Sequence, residues 1–167
     1  LPLLQVAQAL QGELLMMMPE EIGDEPLAQE KYLVKNAKKI AVLAAGAAAQ
    51  RFMTKLDQEQ EVLVNIANIA NQLYAMESVV IRTQKAIERD GVEKAAQKIL
   101  YTQIFCQEAF AIIEAEAKDT LLASVEGDAG RMTLSALRKL TRNNPYNLIP
   151  KKREAAAKLI EAEKYVV

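Results

Sequence analysis

Two series of side chains at seven-residue spacing run through residues 57–91 and most constrain how this chain folds. One series is Val62, Ile69, Met76 and Thr83, and the other is Ile66, Leu73, Val80 and Ile87. Mostly apolar residues at this spacing predict one long amphipathic helix that presents a face to its neighbours. Asp57, with Gln60 three residues later, has capping-box spacing and predicts the start of the helix, and Gly91 predicts its end.

The same spacing recurs on both sides of this helix. A helix predicted over about residues 28–55 repeats Leu33, Ile40 and Ala47, and another over about residues 93–123 repeats Ile99, Cys106 and Ile113. Shorter helices are expected at about 132–141 and 151–164, after a turn at 126–130 and an extended strap at 143–150. Gly and Pro are few and short turns join the long helices. The sequence therefore predicts an all-α, up-and-down four-helix bundle with the helix at 132–141 as its fourth member.

The opening stretch, LPLLQVAQALQGELLMMMPEE, is apolar enough to serve a membrane, a partner surface or the chain's own core. An amphipathic helix is predicted over residues 3–18, with a glutamine stripe as its polar face and Pro19 as its end. Residues 1–30 contain six acidic side chains and neither Lys nor Arg. Because bilayer surfaces are anionic, this charge favours a protein surface over lipid as the partner.

Composition excludes several kinds of chemistry. The chain has no His, which rules out Ser–His and Cys–His nucleophile activation and His-ligated metal sites. The single cysteine, Cys106, allows no internal disulfide, suits a reducing compartment and is expected to be a buried, inert thiol. Tyr74 and Met76 are likewise expected to pack in the core. The net charge of −1 gives no sign of nucleic-acid binding, and we assign no catalytic, cofactor-binding or metal-ligating residue.

Six basic side chains with no acid among them occur near the C-terminus: Arg138, Lys139, Arg142, Lys151, Lys152 and Arg153. The simplest interpretation is a solvated surface. The functional alternative is an anchor for an acidic protein surface or a phosphate-bearing ligand, with anionic lipid as a third choice. No Gly-rich loop or aromatic frame accompanies the cluster, so its charge alone does not identify a ligand.

Three segments resemble a known family: NQLYAMESVVIRTQKAIERDG (71–91), KILYTQIFCQEAFAIIEAEAKDTLLA (98–123) and ALRKLTRNNPYNLIPKKREAAAKLIEAEKYVV (136–167). Together they are similar to the C-terminal extension of bacterial long- and very-long-chain acyl-CoA dehydrogenases. The resemblance covers nearly the whole chain. Its most distinctive motifs are Leu73-Tyr74-Ala75-Met76 and Phe105-Cys106-Gln107-Glu108-Ala109.

The resemblance implies a helical bundle that packs on an upstream catalytic body and adjoins the dimer of the parent enzyme. That body binds FAD and uses a glutamate base on long-chain acyl-CoA in fatty-acid β-oxidation. No position here matches the family's base or its flavin-binding motifs, so no such residue is carried over. The mitochondrial very-long-chain enzyme has a basic, membrane-associated linker before its extension. Residues 1–30 here are acidic, which argues against membrane contact.

The chain begins at Leu1 with neither an initiator Met nor a basic leader, which predicts a piece of a longer protein. Residues 1–27 are predicted as a linker from the catalytic body, residues 28–142 as the bundle, and residues 143–167 as a strap with a short helix. The leading hypothesis is a non-catalytic accessory domain of a cytoplasmic bacterial enzyme, supporting packing and the homodimer, with FAD and acyl-CoA bound in the parent. The alternatives are a peripheral membrane module acting through residues 3–18 and a free-standing helical adaptor that uses the basic cluster.

Overall fold

The computed structural model describes residues 2–16, 21–164 and 166. These residues contain the α-helices α1 (Pro2–Met16), α2 (Ala28–Phe52), α3 (Gln60–Asp90), α4 (Ala96–Ser124), α5 (Gly127–Thr141) and α6 (Leu148–Ala162), and a 3-10 helix (Met53–Gln58). No strand occurs among the described residues, and none of their helices is both long and apolar enough to cross a bilayer. Pro19, the predicted end of the first helix, lies outside the described residues, as do Met17 and Met18.

The bundle is formed by α2, α3 and α4, with α5 packed against α2 and α4 as the predicted fourth member. The first helix, α1, lies on α2 and α5, and α6 lies on α4. The heptad positions predicted for α2 are buried, and so are Cys106 and Ile113 of α4. In α3 the series containing Val62 is fully buried, whereas the series containing Ile66 is mostly half-buried. The predicted all-α bundle is therefore confirmed.

Tyr74 departs from this pattern. Met76 lies in the core as predicted, but Tyr74 is 77% exposed, so the expectation that it packs in the core is wrong. Two residues along a helix point about 200° apart, which places Tyr74 on the outer side of α3.

Two predicted helix ends are wrong between α2 and α3. The second helix stops at Phe52 instead of continuing to Lys55, because Met53 takes a positive φ of 48° and a 3-10 turn follows. Asp57 lies within that turn and does not cap α3, which begins at Gln60. The Gln60 side chain instead donates to the Asp57 carbonyl at 2.8 Å. The predicted end is confirmed, since Gly91 takes a positive φ and its N–H donates to a carbonyl of the last turn.

The starts of α4 and α5 also differ from the predicted ones. The fourth helix begins at Ala96, not Glu93. The predicted turn at 126–130 is wrong, because α5 starts at Gly127 directly after a bend. Gly130 permits this bend, since a Cβ there would lie 3.0 Å from the Val125 carbonyl oxygen.

The last helix starts earlier than predicted, at Leu148. The Asn147 side chain accepts a hydrogen bond from the Ile149 N–H at 3.1 Å and so caps α6. Pro150 fits in the first turn, where a backbone N–H would lack an intrahelical partner. The extended segment between α5 and α6, called the strap below, therefore covers residues 142–147.

Candidate functional site

The polar side chains in the first half of α2 hold the strap against the bundle. Gln29 donates to the carbonyl of Asn144 at 2.8 Å, and Tyr32 donates to the carbonyl of Arg142 at 3.1 Å. Asn36 donates to a carbonyl in the last turn of α5 at 3.0 Å. Because these three donors follow one another at spacings of three and four, they share one face of α2. Gln29 and Tyr32 satisfy carbonyls that the extended strap cannot satisfy within itself, and Asn36 satisfies a carbonyl at the end of α5.

Glu30 is buried in the same junction. It is 1% exposed, and neither carboxylate oxygen makes a hydrogen bond of ordinary geometry. Burial raises the pKa of Glu30, while its own backbone N–H, the Tyr146 hydroxyl and the charge of Lys151 oppose that rise with smaller effects. A buried, unpaired carboxylate is costly when ionised. The protonated form of Glu30 is therefore more favoured in this junction than it would be in water.

Two neighbours of Glu30 respond to the same environment. Burial raises the pKa of the Cys106 thiol to about 12, and the charge of Glu30 adds to the rise. Burial likewise raises the pKa of Tyr146, again with a contribution from Glu30. Cys106 is thus a buried, protonated thiol, as the sequence predicted, and lacks the thiolate character that makes a cysteine reactive.

Two of the six predicted basic residues attach α6 to α4. Lys151 Nζ donates to Gln103 Oε1 at 2.6 Å and lies 4.6 Å from the centre of the Tyr146 ring. Lys152 forms an ion pair with Glu108. Part of the basic cluster is therefore occupied by contacts within the chain and is not available to a partner.

Of the other four basic residues, one makes a contact within the chain and three are exposed. Lys139 Nζ donates to the carbonyl of Leu14 near the C-terminal end of α1, at 3.1 Å. Such a contact satisfies a carbonyl that the end of a helix leaves without a partner. Arg138, Arg142 and Arg153 are exposed, and their guanidinium groups form no ion pair within the described part of the chain.

The apolar first helix packs its inner face on the bundle, where Ala7, Leu10 and Leu14 are buried. The approach is closest at Gly46 of α2, where an added Cβ would lie 2.3 Å from the Ala7 Cβ. Beside this crossing, Glu13 pairs with Lys39, and this contact lowers the pKa of Glu13. The sequence left a membrane, a partner surface and the chain's own core as candidates for the opening helix. In the structure its inner face packs on the chain's own core.

An open groove of about 860 Å³ lies between α1, α2 and α5. Small and aliphatic side chains provide much of its lining, among them Gly12, Leu14, Ala47, Val125, Ala129 and Ala136. Its cations are already engaged, since Arg51 pairs with Glu126 at 2.9 Å and Lys139 binds the Leu14 carbonyl. The groove thus offers apolar surface without a free cation for a phosphate group. No group of three or more Cys, Asp or Glu side chains suited to a metal ion occurs among the described residues.

Sequence reasoning missed the residues that fasten the two ends of the chain. Gln29, Tyr32 and Asn36 are uncharged polar residues at helical spacing among the lysines of the first half of α2, and that stripe is a usable signal. Gly46 is a single glycine among alanines in a helix interior, which indicates a close approach of another backbone. Glu30 gives no such signal, because an acid in the first turn of a helix is ordinarily a solvated partner of the helix dipole.

Residues 36–139 match the family described as acyl-CoA dehydrogenase, C-terminal domain. The whole chain is 64% identical to a probable acyl-CoA dehydrogenase of Bacillus subtilis (strain 168), of which it covers 28%. A crystal structure of an acyl-CoA dehydrogenase complexed with FAD from Bacillus anthracis matches with a TM-score of 0.94 and 63% identity. That match covers 100% of this chain and 28% of the other. The chain therefore spans little more than a quarter of the length of these relatives.

Proposed function

The chain belongs to the acyl-CoA dehydrogenase C-terminal domain family, and on this premise we propose that it is a non-catalytic accessory domain of a longer FAD-dependent enzyme. The parent enzyme dehydrogenates long-chain acyl-CoA in fatty-acid β-oxidation in the bacterial cytoplasm. The domain contributes packing against the upstream catalytic body and supports a homodimer. Residues 1–27 form the linker, residues 28–142 the bundle, and residues 143–167 the strap with its short helix.

One observation carries this proposal. The entire chain matches part of an acyl-CoA dehydrogenase that is complexed with FAD, with a TM-score of 0.94, while 72% of that protein's length has no counterpart here. The whole helical arrangement is therefore compatible with a place inside a longer flavoprotein. An accessory domain has a hydrophobic core of its own, and the buried faces of α2, α3 and α4 provide one here.

The described residues do not suit FAD. The groove between α1, α2 and α5 has the size of a ligand pocket, but its two cations are held by Glu126 and by the Leu14 carbonyl. The pyrophosphate of a dinucleotide is usually bound by a Gly-rich turn at a helix N-terminus, and the sequence contains no Gly-x-Gly-x-x-Gly motif. We therefore propose that the flavin and the acyl-CoA bind in the catalytic body of the parent.

The exposed part of the basic cluster has a place in this proposal. Lys139, Lys151 and Lys152 serve the chain's own packing, whereas the exposed guanidinium groups of Arg138, Arg142 and Arg153 remain available. We propose these arginines as contacts for an acidic surface of the catalytic body or for the phosphates of CoA. Their exposure and positive charge support this choice.

The experiment is an acyl-CoA-dependent dye-reduction assay with added FAD, run on this chain and on the full-length parent. We expect the parent to reduce the dye with palmitoyl-CoA and this chain to give none of that reduction. A parallel titration of flavin fluorescence should detect stoichiometric FAD in the parent and no saturable binding to this chain. Robust turnover by the chain alone would overturn its accessory role, and a parent that binds no FAD would overturn the assignment of the whole enzyme.

A further inference from the structure

The outer face of α3 carries an uncharged stripe that nothing in the described part of the chain covers. Val64, Tyr74 and Ile81 are 56%, 77% and 48% exposed, and Ala67, Asn71 and Ser78 between them are exposed as well. From residue 62 to residue 81 the only charged side chain is Glu77, which pairs with Lys38 of α2 at 2.5 Å. Solvated helix faces normally carry charge, so this stripe has the character of an interaction surface.

The stripe has the periodicity of a coiled-coil seam. Val64, Asn71 and Ser78 are seven residues apart, and so are Ala67, Tyr74 and Ile81; the two series alternate at spacings of three and four. The seam covers about 26 Å of helix. Its members lie roughly opposite the buried series that contains Val62 and Ile69. One side of α3 thus forms the core, while the other offers a second helix-packing face.

The two ends of the stripe have opposite charge. Glu61 precedes it and Arg82 follows it, and both side chains are exposed. Neither forms an ion pair with another described residue of the chain. A helix with an acid at the start of an uncharged stripe and a base at its end is complementary to an antiparallel copy of itself.

We propose that α3 packs antiparallel on α3 of a second copy of this chain along the stripe. The proposal rests on the proposed function, because it gives the dimer support of that function a defined surface. The twofold axis passes between Asn71 and Tyr74. Val64 then faces Ile81 of the partner subunit, and Glu61 faces Arg82 of the partner subunit. A twofold contact of this kind is isologous, so every pairing occurs twice.

The polar groups of the stripe are compatible with burial in such a contact. The Ser78 hydroxyl already donates to the Tyr74 carbonyl of its own helix at 2.7 Å, so it brings no unpaired donor into the interface. Near the axis, the Asn71 amide meets the Tyr74 hydroxyl of the partner subunit and each group gains a partner. A polar layer of this kind, in a seam whose apolar members are Val64, Ala67 and Ile81, fixes the register of two helices.

Sedimentation velocity of this chain, without FAD or substrate, tests the proposal. We expect a monomer–dimer equilibrium at micromolar concentrations. Tyr74→Glu should weaken the dimer by at least about 30-fold, because it places two charges at the centre of the contact. Ile160→Glu, which alters an equally exposed apolar side chain on α6, is the matched control and should leave the dimer unchanged. A monomeric wild type would overturn the proposal and favour the catalytic body as the occupant, and a dimer insensitive to Tyr74→Glu would overturn it as well.

Charge reversal tests the antiparallel register separately. Glu61→Lys and Arg82→Glu should each weaken the dimer by about tenfold, since each replaces two attractive pairs with two repulsive ones. The double variant, Glu61→Lys with Arg82→Glu, should restore wild-type affinity because the pairing is re-formed with reversed signs. Failure of the double variant to recover would overturn the register. These measurements do not depend on enzymatic activity. The dimer surface can therefore be overturned while the accessory role stands, and the accessory role can be overturned while the dimer surface stands.

Discussion

The two ends of the chain are fastened to the same helix by different forces. The first half of α2 holds the strap through side-chain hydrogen bonds to backbone carbonyls, around the buried carboxyl of Glu30. The second half of α2 holds α1 through close apolar packing at Gly46. Polar fastening depends on the protonation of buried groups, whereas apolar fastening depends on shape. We therefore expect the strap to respond to pH and the seat of α1 to respond to volume.

The largest expected effect is at the apolar end. Leu14→Ala removes a fully buried side chain from the seat of α1 and should lower the free energy of unfolding by about 3 kcal/mol. Met16→Ala, at an exposed position of the same helix, is the control and should change stability little. Urea unfolding followed by circular dichroism gives both values. Equal effects of the two substitutions would contradict the packing of α1 on the bundle.

The next largest effect is expected from overpacking the crossing of α1 and α2. Gly46→Ala places a Cβ 2.3 Å from the Ala7 Cβ, so α1 must move, and we expect a loss of about 2 kcal/mol. Adding Ala7→Gly removes the opposing Cβ and should recover part of that loss, although glycine within a helix has its own cost. Stability of the single and double variants, measured by urea unfolding, checks this. If the stability losses of Gly46→Ala and Ala7→Gly simply add in the double variant, the two positions do not contact each other. The crossing of α1 and α2 would then be looser than described.

A smaller effect, a gain in stability, is expected from a substitution at Glu30, where α2 meets the strap. Burial raises the folded-state pKa of Glu30 above its unfolded value, so its favourable contribution is complete below the unfolded pKa and is lost as pH rises through the folded pKa. Glu30→Gln keeps the shape and removes the ionisation. We therefore expect the free energy of unfolding of the variant to rise above that of the wild type as pH increases through the folded-state pKa.

Urea unfolding between about pH 4 and about pH 8 measures this difference, since an unperturbed glutamate titrates near the lower limit. The groups that face Glu30 from the strap, α6 and α4 are Tyr146, Lys151 and Cys106, and they are the same in both proteins. Glu25→Gln, at an exposed carboxylate of the preceding loop, is the matched control for the removal of one acidic side chain. A Glu30→Gln variant that is less stable at neutral pH would contradict the buried, unpaired state of the carboxylate.

The smallest effect is expected at the cap that starts α6. Asn147→Ala removes the acceptor of the Ile149 N–H and should lower stability by about 0.7 kcal/mol. Asn147→Asp retains an acceptor and should be nearly neutral. Thermal unfolding of the three proteins compares them, and a destabilisation by Asp as large as that by Ala would contradict the capping role.

The sequence predicted most of the core, Tyr74 excepted, but not the contacts that hold α1 and the strap on α2. The seven-residue repeats predicted which faces of α2 and α4 are buried, because helical periodicity alone decides which side chains share a face. Helix ends were less predictable. Met53 takes a positive φ that its side chain does not favour, and α5 begins directly after a bend that Gly130 permits. These features depend on contacts between distant segments, which a single sequence does not specify.

The same distinction applies to the candidate site. The basic cluster was visible as charge, yet its division into packing lysines and exposed arginines depends on where α4 and α1 lie. The burial of Glu30 was not predictable either, because it depends on the strap, α6 and α4, all of which face the start of α2. The exposed stripe of α3 was also present in the sequence, as seven-residue series through Val64 and Ala67 that sequence reasoning did not single out. It could be assigned to the outside only after the core face was known.

Hydrogen exchange followed by mass spectrometry tests most directly whether the two ends are fastened independently. Leu14→Ala and Gln29→Ala are the paired variants, the first at the apolar seat of α1 and the second at the polar junction of the strap. Faster exchange is predicted in residues 2–16 for the first variant and in residues 142–162 for the second, with the bundle core protected in both. If either variant accelerates exchange in both ends to the same extent, the two fastenings form one cooperative unit and the account is contradicted.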